Sequence, residues 1–323
     1  MRVLVTGGAG FIGSHTAQAL QAEGHQIAII DDLNDFYSPL NKRANLEAIA
    51  ETGQLSMYHA DICDTTAVNE VFDEFRPDAV IHLAARAGVR PSLEQPLLYE
   101  RVNVYGTMAL LEAARRTSTD KFVFASSSSI YGAANRVPFS EEDYQNLPIS
   151  PYAATKLAGE KICYTWSHLY KMNIVCLRFF TVYGPRQRPD LAIRKFVEKI
   201  SRGERIPVFG DGSMGRDYTF VEDTVQGIMA ALNHDTRYDI FNLGNSHPVT
   251  LLEMIETIET VVGEKARIDW QPEQAGDVPI TYADISKAER TLGYSPQVKF
   301  QAGIRRFVEW SSQQRTLQTV PVS

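Results

Sequence analysis

A glycine-rich turn, directly after the first predicted strand, constrains the fold of this chain more than any other feature. The strand Arg2–Thr6 leads into Gly7-Gly8-Ala9-Gly10-Phe11-Ile12-Gly13, which opens a helix predicted over Ser14–Glu23. Glycines at this spacing permit a tight turn and let a pyrophosphate approach the backbone, where the N-terminus of the helix holds it. We therefore predict a βαβ unit that binds a dinucleotide through Gly7, Gly10, Phe11, Ile12 and Gly13.

Carboxylates at the ends of the next two predicted strands narrow the choice of dinucleotide. Asp31 ends the strand Ile27–Asp31 and follows Gly13 by 18 residues. A carboxylate there accepts hydrogen bonds from both hydroxyls of the adenosine ribose and repels a 2′-phosphate, which favours NAD over NADP. Asp32 is assigned to the same cofactor site. Asp61 and Ile62, after the third strand, fit an adenine contact, although Asp61 fits a helix cap equally well.

The first half of the chain alternates short apolar strands with amphipathic helices. Strands buried on both faces and separated by helices imply a parallel sheet covered on both sides, a Rossmann-type doubly wound α/β fold. After Phe179 glycines and prolines become frequent, which suits a smaller, loop-rich, substrate-binding lobe. We therefore assign residues 1–180 to a dinucleotide-binding domain and 181–323 to the second lobe, and expect the chain to rejoin the sheet near 217–249.

Composition excludes several classes of function. Hydrophobic residues make up 44% of the chain and charged residues 22%, as in a globular domain rather than a disordered one. The net charge is −7 and there is no basic block, so neither nucleic acid nor an anionic membrane is expected as a main partner. Three cysteines without metal-ligand spacing predict no metal site and suit a reducing cytoplasm. No stretch approaches the roughly 20 apolar residues of a membrane span, and we expect a cytoplasmic protein.

Tyr152 and Lys156 share one face of a helix predicted over Pro151–Tyr170, because they stand four residues apart. A lysine beside a phenol stabilises the phenolate and lowers the tyrosine pKa from about 10 toward neutrality. Such a phenolate is a general base that can take the proton of an alcohol during hydride transfer. Upstream, the serine cluster Ser126–Ser129 follows a buried strand, where a hydroxyl can orient the reacting oxygen. Together with the nucleotide turn, these residues predict an oxidoreductase-type site.

In these motifs the sequence resembles the extended short-chain dehydrogenases/reductases that act on nucleotide sugars, and within them the UDP-glucuronate 4-epimerase branch. The resemblance extends to about Phe307 and implies an isomerase that uses bound NAD on a UDP-sugar. It is carried by TGGAGFIG, HLAARAGVRPS (82–92), SSSSIYG, YAATK, LRFFTVYGPRQRPD (177–190), GRDYTFVED (215–223) and AGDVPITYAD (275–284).

The resemblance implies a role for each matching position. Tyr152 would be the catalytic base, Lys156 would hold the nicotinamide ribose and tune the tyrosine, and Ser127 would hydrogen-bond the sugar 4-hydroxyl. Arg216 would clamp the diphosphate with its planar set of donors. It places Phe209 near uracil, and Gln274 and Asp277 near the uridine end. Around the cofactor and the active-site floor it places Leu83, Ala84, Ala85, Asn103 and Arg178. Arg178 fits a structural ion pair equally well.

Two serines indicate which reaction follows oxidation at C4 of the sugar. The related sugar 4,6-dehydratases carry an Asp-Glu pair where this chain has Ser128 and Ser129, and UDP-glucuronate decarboxylases carry Glu at the second position. Without those acids, return of hydride to the opposite face is favoured, which is epimerisation. A 4-keto glucuronate is a β-keto acid, so its carboxylate must be held near the ketone plane to prevent loss of CO2. We predict that Thr181 holds it with Ser128 or Ser129. Arg186 or Arg188 is a further candidate, although both fit phosphate contacts or surface charges as well.

Other functions compete with epimerisation of UDP-glucuronate to UDP-galacturonate. A 4-epimerase of another UDP-hexose or of a UDP-N-acetylhexosamine shares most of these motifs, and only Thr181 and the Arg-Pro-Asp segment argue against it. A UDP-glucuronate decarboxylase is disfavoured by Ser129. A non-catalytic NAD sensor is disfavoured because Ser127, Tyr152 and Lys156 are all present.

The resemblance also implies a homodimer. The expected interface is built from the helices predicted over Tyr99–Thr117 and Pro151–Tyr170. Their faces carry Leu110, Leu111, Leu157 and Tyr164, which fit such an interface, although core packing explains these side chains equally well.

Overall fold

A parallel sheet with helices on both faces forms the centre of the molecule, which confirms the predicted fold class. The structure is a computed structural model that describes residues 1–133, 136–143, 146–272 and 280–319. Gln274 and Asp277 lie outside the described residues. The strands are β1 Arg2–Thr6, β2 Gln26–Asp31, β3 Leu55–His59, β4 Ala79–His82, β5 Lys121–Ser127, β6 Asn173–Phe179, β7 Thr181–Tyr183, β8 Arg205–Phe209, β9 Gly215–Phe220, β10 Tyr238–Leu243, β11 Pro248–Thr250, β12 Arg267–Gln271 and β13 Ile280–Thr281.

Helices connect these strands and cover the sheet. They are α1 Phe11–Ala22, α2 Pro39–Ala50, α3 Thr65–Phe75, α4 Val89–Glu94, α5 Pro96–Glu100, α6 Gly106–Arg116, α7 Pro151–Tyr170, α8 Ala192–Ser201, α9 Val221–Asn233, α10 Leu251–Val262, α11 Ser286–Leu292 and α12 Phe300–Thr319, with a π-helical turn over Arg101–Tyr105 and a 3-10 turn over Ser128–Tyr131.

The order of strands in the main sheet positions the site. The seven strands run β10-β6-β5-β4-β1-β2-β3, all parallel. The chain winds outward from β1 in one direction through β2 and β3, then returns to begin β4 on the other side. At such a switch point the loops after the two central strands diverge, which leaves a crevice at their carboxyl ends. The residues after β1 and β4 therefore face one cleft.

The sheet has a hydrophobic core on each face. Val3 and Val5 of β1 belong to one core cluster, whereas Leu4 between them belongs to the other. Because side chains alternate across a strand, a strand that is buried on both sides must be apolar throughout. This is why β1, β2 and β4 read as continuous apolar runs in the sequence.

The second lobe contains strands that the sequence analysis did not predict. The strands β7, β9, β11 and β13 form a small mixed sheet, and β8 pairs with β12. These strands are two to six residues long and pair with distant segments, so their pairing reflects tertiary context rather than local propensity. The chain then returns to the main sheet, where β10 pairs with β6. The placing of the domain boundary at residue 180 stays a prediction.

The helix predicted over Tyr99–Thr117 is present, but it begins earlier and contains a π-helical turn. The helical backbone runs without a break over 96–116, through α5, the π-helical turn and α6. The turn contains Asn103, whose Oδ1 accepts from the Arg86 amide at 2.8 Å and whose Nδ2 donates to the Arg86 carbonyl and to Thr155 Oγ1, both at 3.0 Å. A π-turn inserts one residue and rotates the helix face, which brings this amide to the backbone beside the cleft.

Two of the residues predicted for the homodimer face the interior instead. Leu110 and Leu111 on α6 are fully buried in the core, because this side of α6 packs on the sheet. Leu157 packs against the other core cluster, while Tyr164 is 54% exposed. Among the described residues, the apolar side chains that α5, the π-helical turn and α6 leave exposed include Leu97, Tyr105 and Met108.

Candidate active site

One deep cleft lies at the carboxyl ends of the central strands, and it collects most of the predicted site residues. Its walls come from the loops after β1, β2, β3, β4, β5 and β6 and from the start of α7. The predicted residues that line it are Gly7, Gly10, Phe11, Ile12, Gly13, Asp31, Asp32, Asp61, Ile62, Leu83, Ala84, Ala85, Ser127, Tyr152, Lys156, Thr181 and Arg188. Their positions agree with the predicted cofactor and reaction site, while their individual roles stay predictions.

The glycine turn has no room for side chains. Gly7 has φ +70°, and a Cβ there would lie 2.7 Å from the Ala84 amide nitrogen. A Cβ on Gly13 would lie 2.2 Å from the Gly7 carbonyl oxygen. The turn therefore packs directly on the backbone after β4 and on the first turn of α1, which leaves the amides at the helix N-terminus facing the cleft. This is a cradle into which a pyrophosphate fits.

Asp31 is held in place at the end of β2. Its Oδ2 accepts from the Ala9 amide at 3.1 Å and its Oδ1 from the Leu33 amide at 2.9 Å, while Lys42 Nζ lies 3.6 Å from Oδ1. Burial raises the pKa of Asp31, and the Lys42 ammonium and the two amides act against that shift. The carboxylate lines the cleft beside the glycine turn, so the acceptor that an adenosine ribose requires is present and the residues fit NAD.

The structure distinguishes between the two roles considered for Asp61, a helix cap and an adenine contact. The N-cap of α3 is Asp64, whose side chain accepts from the Thr66 and Ala67 amides. Asp61 accepts from the Cys63 amide at 2.9 Å and lines the cleft with Ile62. The helix-cap alternative for Asp61 is therefore wrong, and its position is compatible with the adenine contact.

Tyr152 lies in the first turn of α7, which begins after the Ser150 N-cap, and it lines the cleft together with Ser127. Burial raises the pKa of Tyr152, while the Ser127 hydrogen bond and the nearby Arg188 charge act to lower it. This direction is opposite to the predicted one. Lys156 Nζ donates to the Ala125 carbonyl at 2.7 Å and is not among the groups that shift the tyrosine pKa.

Lys156 is itself perturbed by its surroundings. It is buried, its ammonium lies 5.2 Å from the centroid of the Phe124 ring, and burial lowers its pKa to about 8. A lysine with this pKa exchanges its proton near neutral pH. Its charge is thus available for tuning a neighbouring phenol or holding a ribose hydroxyl, and is more easily lost than that of a surface lysine.

The serine turn follows β5 and faces β7. Ser127 Oγ accepts from the Ser129 amide at 3.2 Å, which fixes the start of the 3-10 turn. Ser127 and Thr181 both line the cleft. Ser128 and Ser129 are half-buried in the turn itself, and Thr181 begins β7, whose register pairs it with Tyr218.

Arg188 is more constrained than a surface charge. Its Nε and Nη2 donate to the two oxygens of Asp190 at 3.0 and 2.9 Å, and its guanidinium lies 5.2 Å from the centroid of the Phe36 ring. Arg186, the other candidate, has φ +66° and its pKa is lowered by burial. Among the described residues, Arg188 lines the cleft and Arg186 does not.

The residues predicted to bind the uridine diphosphate lie in the second lobe. Phe209 ends β8, with the Arg90 guanidinium 5.7 Å from its ring centroid, and Arg216 Nη1 donates to the Gly215 carbonyl at 2.8 Å. Among the described residues, Phe209 and Arg216 are not in the lining of the NAD-type cleft. Asp217 beside Arg216 is fully buried and accepts from the amides of Asn245, Ser246 and Ala283 at 2.7 to 3.0 Å.

Two features of the site were not predicted from the sequence. One is Lys42, whose ammonium neutralises Asp31, because neither Lys42 nor the helix around it belongs to a recognisable motif. For Arg178 the sequence allowed two roles, at the floor of the cofactor site or in an ion pair. Arg178 forms a buried ion pair with Glu160 at 2.9 Å and is absent from the described lining of the cleft. The spacing of Glu160, four residues after Lys156 on the same helix, is the signal that could have revealed it.

No group of three or more potential metal-ligating side chains occurs among the described residues. The cysteines at 63, 163 and 176 are free and buried. Within the part of the chain that the structure describes, no helix combines the length and the apolar character needed to cross a bilayer.

The chain matches the family model described as GDP-mannose 4,6 dehydratase over residues 4–307. It belongs to this family of extended short-chain dehydrogenases/reductases. The chain is 41% identical to UDP-glucuronate 4-epimerase of Thermodesulfobacterium geofontis, over 96% of both chains.

Solved structures of family members share the fold. The UDP-glucuronic acid 4-epimerase of Bacillus cereus, in complex with UDP-glucuronic acid and NAD, matches with TM-score 0.91 and 34% identity over 97% of this chain and all of that one. The UDP-glucose 4-epimerase of Thermus thermophilus, in complex with NAD, matches with TM-score 0.87 and 34% identity over 96% and 98% of the two chains. The expected family membership is confirmed.

The crowding at Gly13 predicts that this family member does not tolerate alanine there. The added Cβ meets a backbone oxygen at 2.2 Å, so the turn must shift, and we expect a loss of about 1–3 kcal/mol in the free energy of unfolding together with weaker NAD binding. Urea denaturation and calorimetric titration with NAD measure the two effects. Gly53→Ala is the control, because its Cβ would meet only the flexible Gln21 side chain, at 3.2 Å. Equal behaviour of both variants would contradict the prediction.

The lowered pKa of Lys156 predicts a pH-dependent difference in stability. The folded protein releases the proton at about pH 8 and the unfolded chain at 10.5, so below pH 8 the buried charge destabilises the fold. Lys156→Met removes that cost and one hydrogen bond, so we expect the variant to be more stable by about 2 kcal/mol at pH 7. The extra stability of the variant declines between pH 8 and 10.5, because Lys156 in the folded wild type is already neutral there and its buried charge no longer destabilises the fold. Urea denaturation of both proteins at several pH values tests this, and a constant difference would contradict it.

Proposed function

We propose that this chain is an NAD-dependent UDP-sugar 4-epimerase and that its substrate is UDP-glucuronate, which it converts to UDP-galacturonate. The observation that carries the proposal is that Tyr152, Lys156 and Ser127 line one cleft with the glycine turn and Asp31, next to serines where related enzymes carry acids. The expected isomerase class and the expected cofactor, NAD, agree with the relatives described above.

The reaction follows from the positions of these side chains. Bound NAD would supply the acceptor that takes the C4 hydrogen as hydride and later gives it back. Tyr152 takes the proton of the 4-hydroxyl through its phenolate oxygen, and Ser127 holds O4 by a hydrogen bond. The resulting 4-keto sugar turns its other face toward the cofactor, and Tyr152 returns the proton to O4. Each proton and hydride removed is returned, so the product has the mass of the substrate.

The serine turn favours epimerisation over elimination or decarboxylation. Ser128 and Ser129 carry hydroxyls that stay neutral near pH 7, so they cannot act as the acid and base that loss of water from C5 and C6 requires. Thr181 reaches the same cleft from β7. We assign Thr181 and the hydroxyls of Ser128 or Ser129 to the sugar carboxylate, with Arg188, which lines the same cleft as Thr181, as a further candidate. These contacts would keep the carboxylate near the plane of the ketone.

The uridine diphosphate would extend from the cleft into the second lobe. Phe209 ends β8 and Arg216 lies near the start of β9, and they are assigned to the uracil and the diphosphate respectively. Gln274 and Asp277, which lie outside the described residues, are assigned to the uridine end, as the resemblance implies.

A second candidate is 4-epimerisation of UDP-glucose or a related UDP-hexose. It is supported by the Thermus thermophilus UDP-glucose 4-epimerase, which has the same 34% identity as the Bacillus cereus enzyme. The test incubates the purified protein separately with UDP-glucuronate, UDP-glucose and UDP-N-acetylglucosamine, and follows products by proton NMR and mass spectrometry. An epimer of unchanged mass from UDP-glucuronate supports the proposal. Released CO2 would instead indicate a decarboxylase, and turnover of another UDP-sugar alone would keep the reaction and change the substrate. Tyr152→Phe is the inactive control.

The contact assigned to Thr181 predicts a change in product when its hydroxyl is removed. Thr181→Val keeps the shape and loses one hydrogen bond, so the carboxylate of the 4-keto sugar leaves the ketone plane more often. We expect a KM increase of about tenfold and a larger share of turnovers that release CO2. Clean epimerisation with unchanged kinetics would remove Thr181 from the site.

The exposed apolar side chains of α5, the π-helical turn and α6 support the predicted homodimer. Leu97 is 81% exposed, with Tyr105 and Met108 further along the same connection. We expect Leu97→Asp to shift the protein from dimer to monomer in sedimentation velocity, because a buried interface does not accept an unpaired charge. Leu40→Asp, at a 70% exposed position on α2, is the control. A wild type that sediments as a monomer would contradict the prediction. We place the protein in the cytoplasm, with which its free thiols are compatible.

A further inference from the structure

A buried carboxylate that the proposed reaction does not use lies one helical turn beyond Lys156. Glu160 on α7 is 0% exposed. Ser126 Oγ donates to its Oε1 at 2.5 Å, and Arg178 donates through Nε to Oε1 and through Nη2 to Oε2, both at 2.9 Å. A carboxylate is buried in a protein only when charge and hydrogen bonds compensate it, and here both oxygens are engaged.

The partner of this carboxylate extends the network to the serine turn. Arg178 on β6 is 2% exposed, and its Nη1 donates to the Tyr131 hydroxyl at 2.8 Å. Tyr131 ends the 3-10 turn and donates to Asn242 Oδ1 on β10 at 2.7 Å. The guanidinium carbon lies 4.9 Å from the centroid of the Tyr131 ring. One buried network therefore joins the end of β5, the serine turn, α7, β6 and β10.

This network joins the same two elements that carry the reacting pair. Ser127 on β5 and Tyr152 on α7 line the same cleft. The two residues before Ser127 are bonded to that helix, since the Ala125 carbonyl accepts from Lys156 Nζ at 2.7 Å and Ser126 Oγ donates to Glu160. These two bonds attach the end of β5 to successive turns of α7 and fix the position of the strand end relative to the helix.

We propose that Ser126, Glu160 and Arg178 are positioning residues that hold the end of β5, and with it Ser127, in place relative to Tyr152 throughout the reaction. The proposal rests on the function assigned to Ser127 and Tyr152 above. An epimerase performs two transfers at C4, one before and one after the sugar turns, and the same hydroxyl pair must be in place for both. The Ser126 anchor keeps the strand end fixed during the interval in which the 4-keto sugar is mobile.

Lys156 lies between Tyr152 and Glu160 on α7, four residues from each. Its ammonium donates to the Ala125 carbonyl at 2.7 Å, so the residue next to Ser126 is also bonded to α7.

Ser126→Ala tests the inference with the smallest change, since it removes one hydroxyl and leaves the ion pair. We expect a folded protein with a lower unfolding midpoint, because one hydrogen bond to a buried carboxylate is lost. The KM for the UDP-sugar should be unchanged and kcat should fall about tenfold, because misplacement of reacting groups costs rate rather than binding. With UDP-glucuronate as substrate, the share of turnovers that release CO2 should rise. Ser167→Ala is the matched control on α7, where the hydroxyl is buried and donates to the Arg237 carbonyl at 2.7 Å; its kcat should not change.

A second variant separates positioning from a purely structural role. Glu160→Gln keeps the shape of the side chain and removes the charge, and it should lower both the unfolding midpoint and kcat. If it does not fold, Ser126→Ala decides alone. A Ser126→Ala enzyme with wild-type kcat and product ratio overturns the inference, as does an equal fall in the Ser167→Ala control. If Tyr152→Phe is inactive in the same assay, only the inference has failed; if Tyr152→Phe stays active, the proposed function has failed with it.

Discussion

The close contact between the glycine turn and the backbone after β4 determines where the other parts of the site lie. Gly7 approaches Ala84 so closely that no side chain fits between them. Beneath this contact, Thr6 Oγ1 is 2.7 Å from His82 Nδ1, and His82 Nε2 is 3.0 Å from Thr107 Oγ1. Burial lowers the pKa of His82 to about 3, so the ring stays neutral in working conditions. A neutral, fully buried hydrogen-bond network thus fixes the floor on which cofactor and reacting groups are arranged.

The proposed reaction would make different chemical demands on the two parts of the chain. The groups on the main sheet would have to keep their geometry through two opposite transfers, and buried polar networks around Asn103, His82 and Glu160 support that region. Arg216 lies on a short strand of another sheet, next to Asp217, whose carboxylate accepts three backbone amides. If the diphosphate stays bound while the sugar turns, the proposal requires a fixed reaction site and a fixed diphosphate contact, and it assigns them to separate sheets.

The sequence predicted those features that depend on local pattern. The glycine turn, Asp31 and the spacing of Tyr152 and Lys156 are local signals, and the structure brings all of them to one cleft. Features that depend on distant partners escaped prediction. The pairing of β8 with β12 and the neutralisation of Asp31 by Lys42 join segments that carry no shared pattern. The predicted direction of the Tyr152 pKa shift was wrong because burial of the phenol raises the pKa by more than the neighbouring groups lower it. Burial is a property of the assembled fold.

The return of the chain to β10 has a consequence for folding. Residues 181–237 leave the main sheet after β6 and come back beside it as β10, so they form an insertion between two adjacent strands. A chain that ended at β6 would present that buried strand as an open edge of unpaired amides and carbonyls, which other chains can join. During synthesis, β6 therefore gains its outer partner only after the whole insertion has emerged.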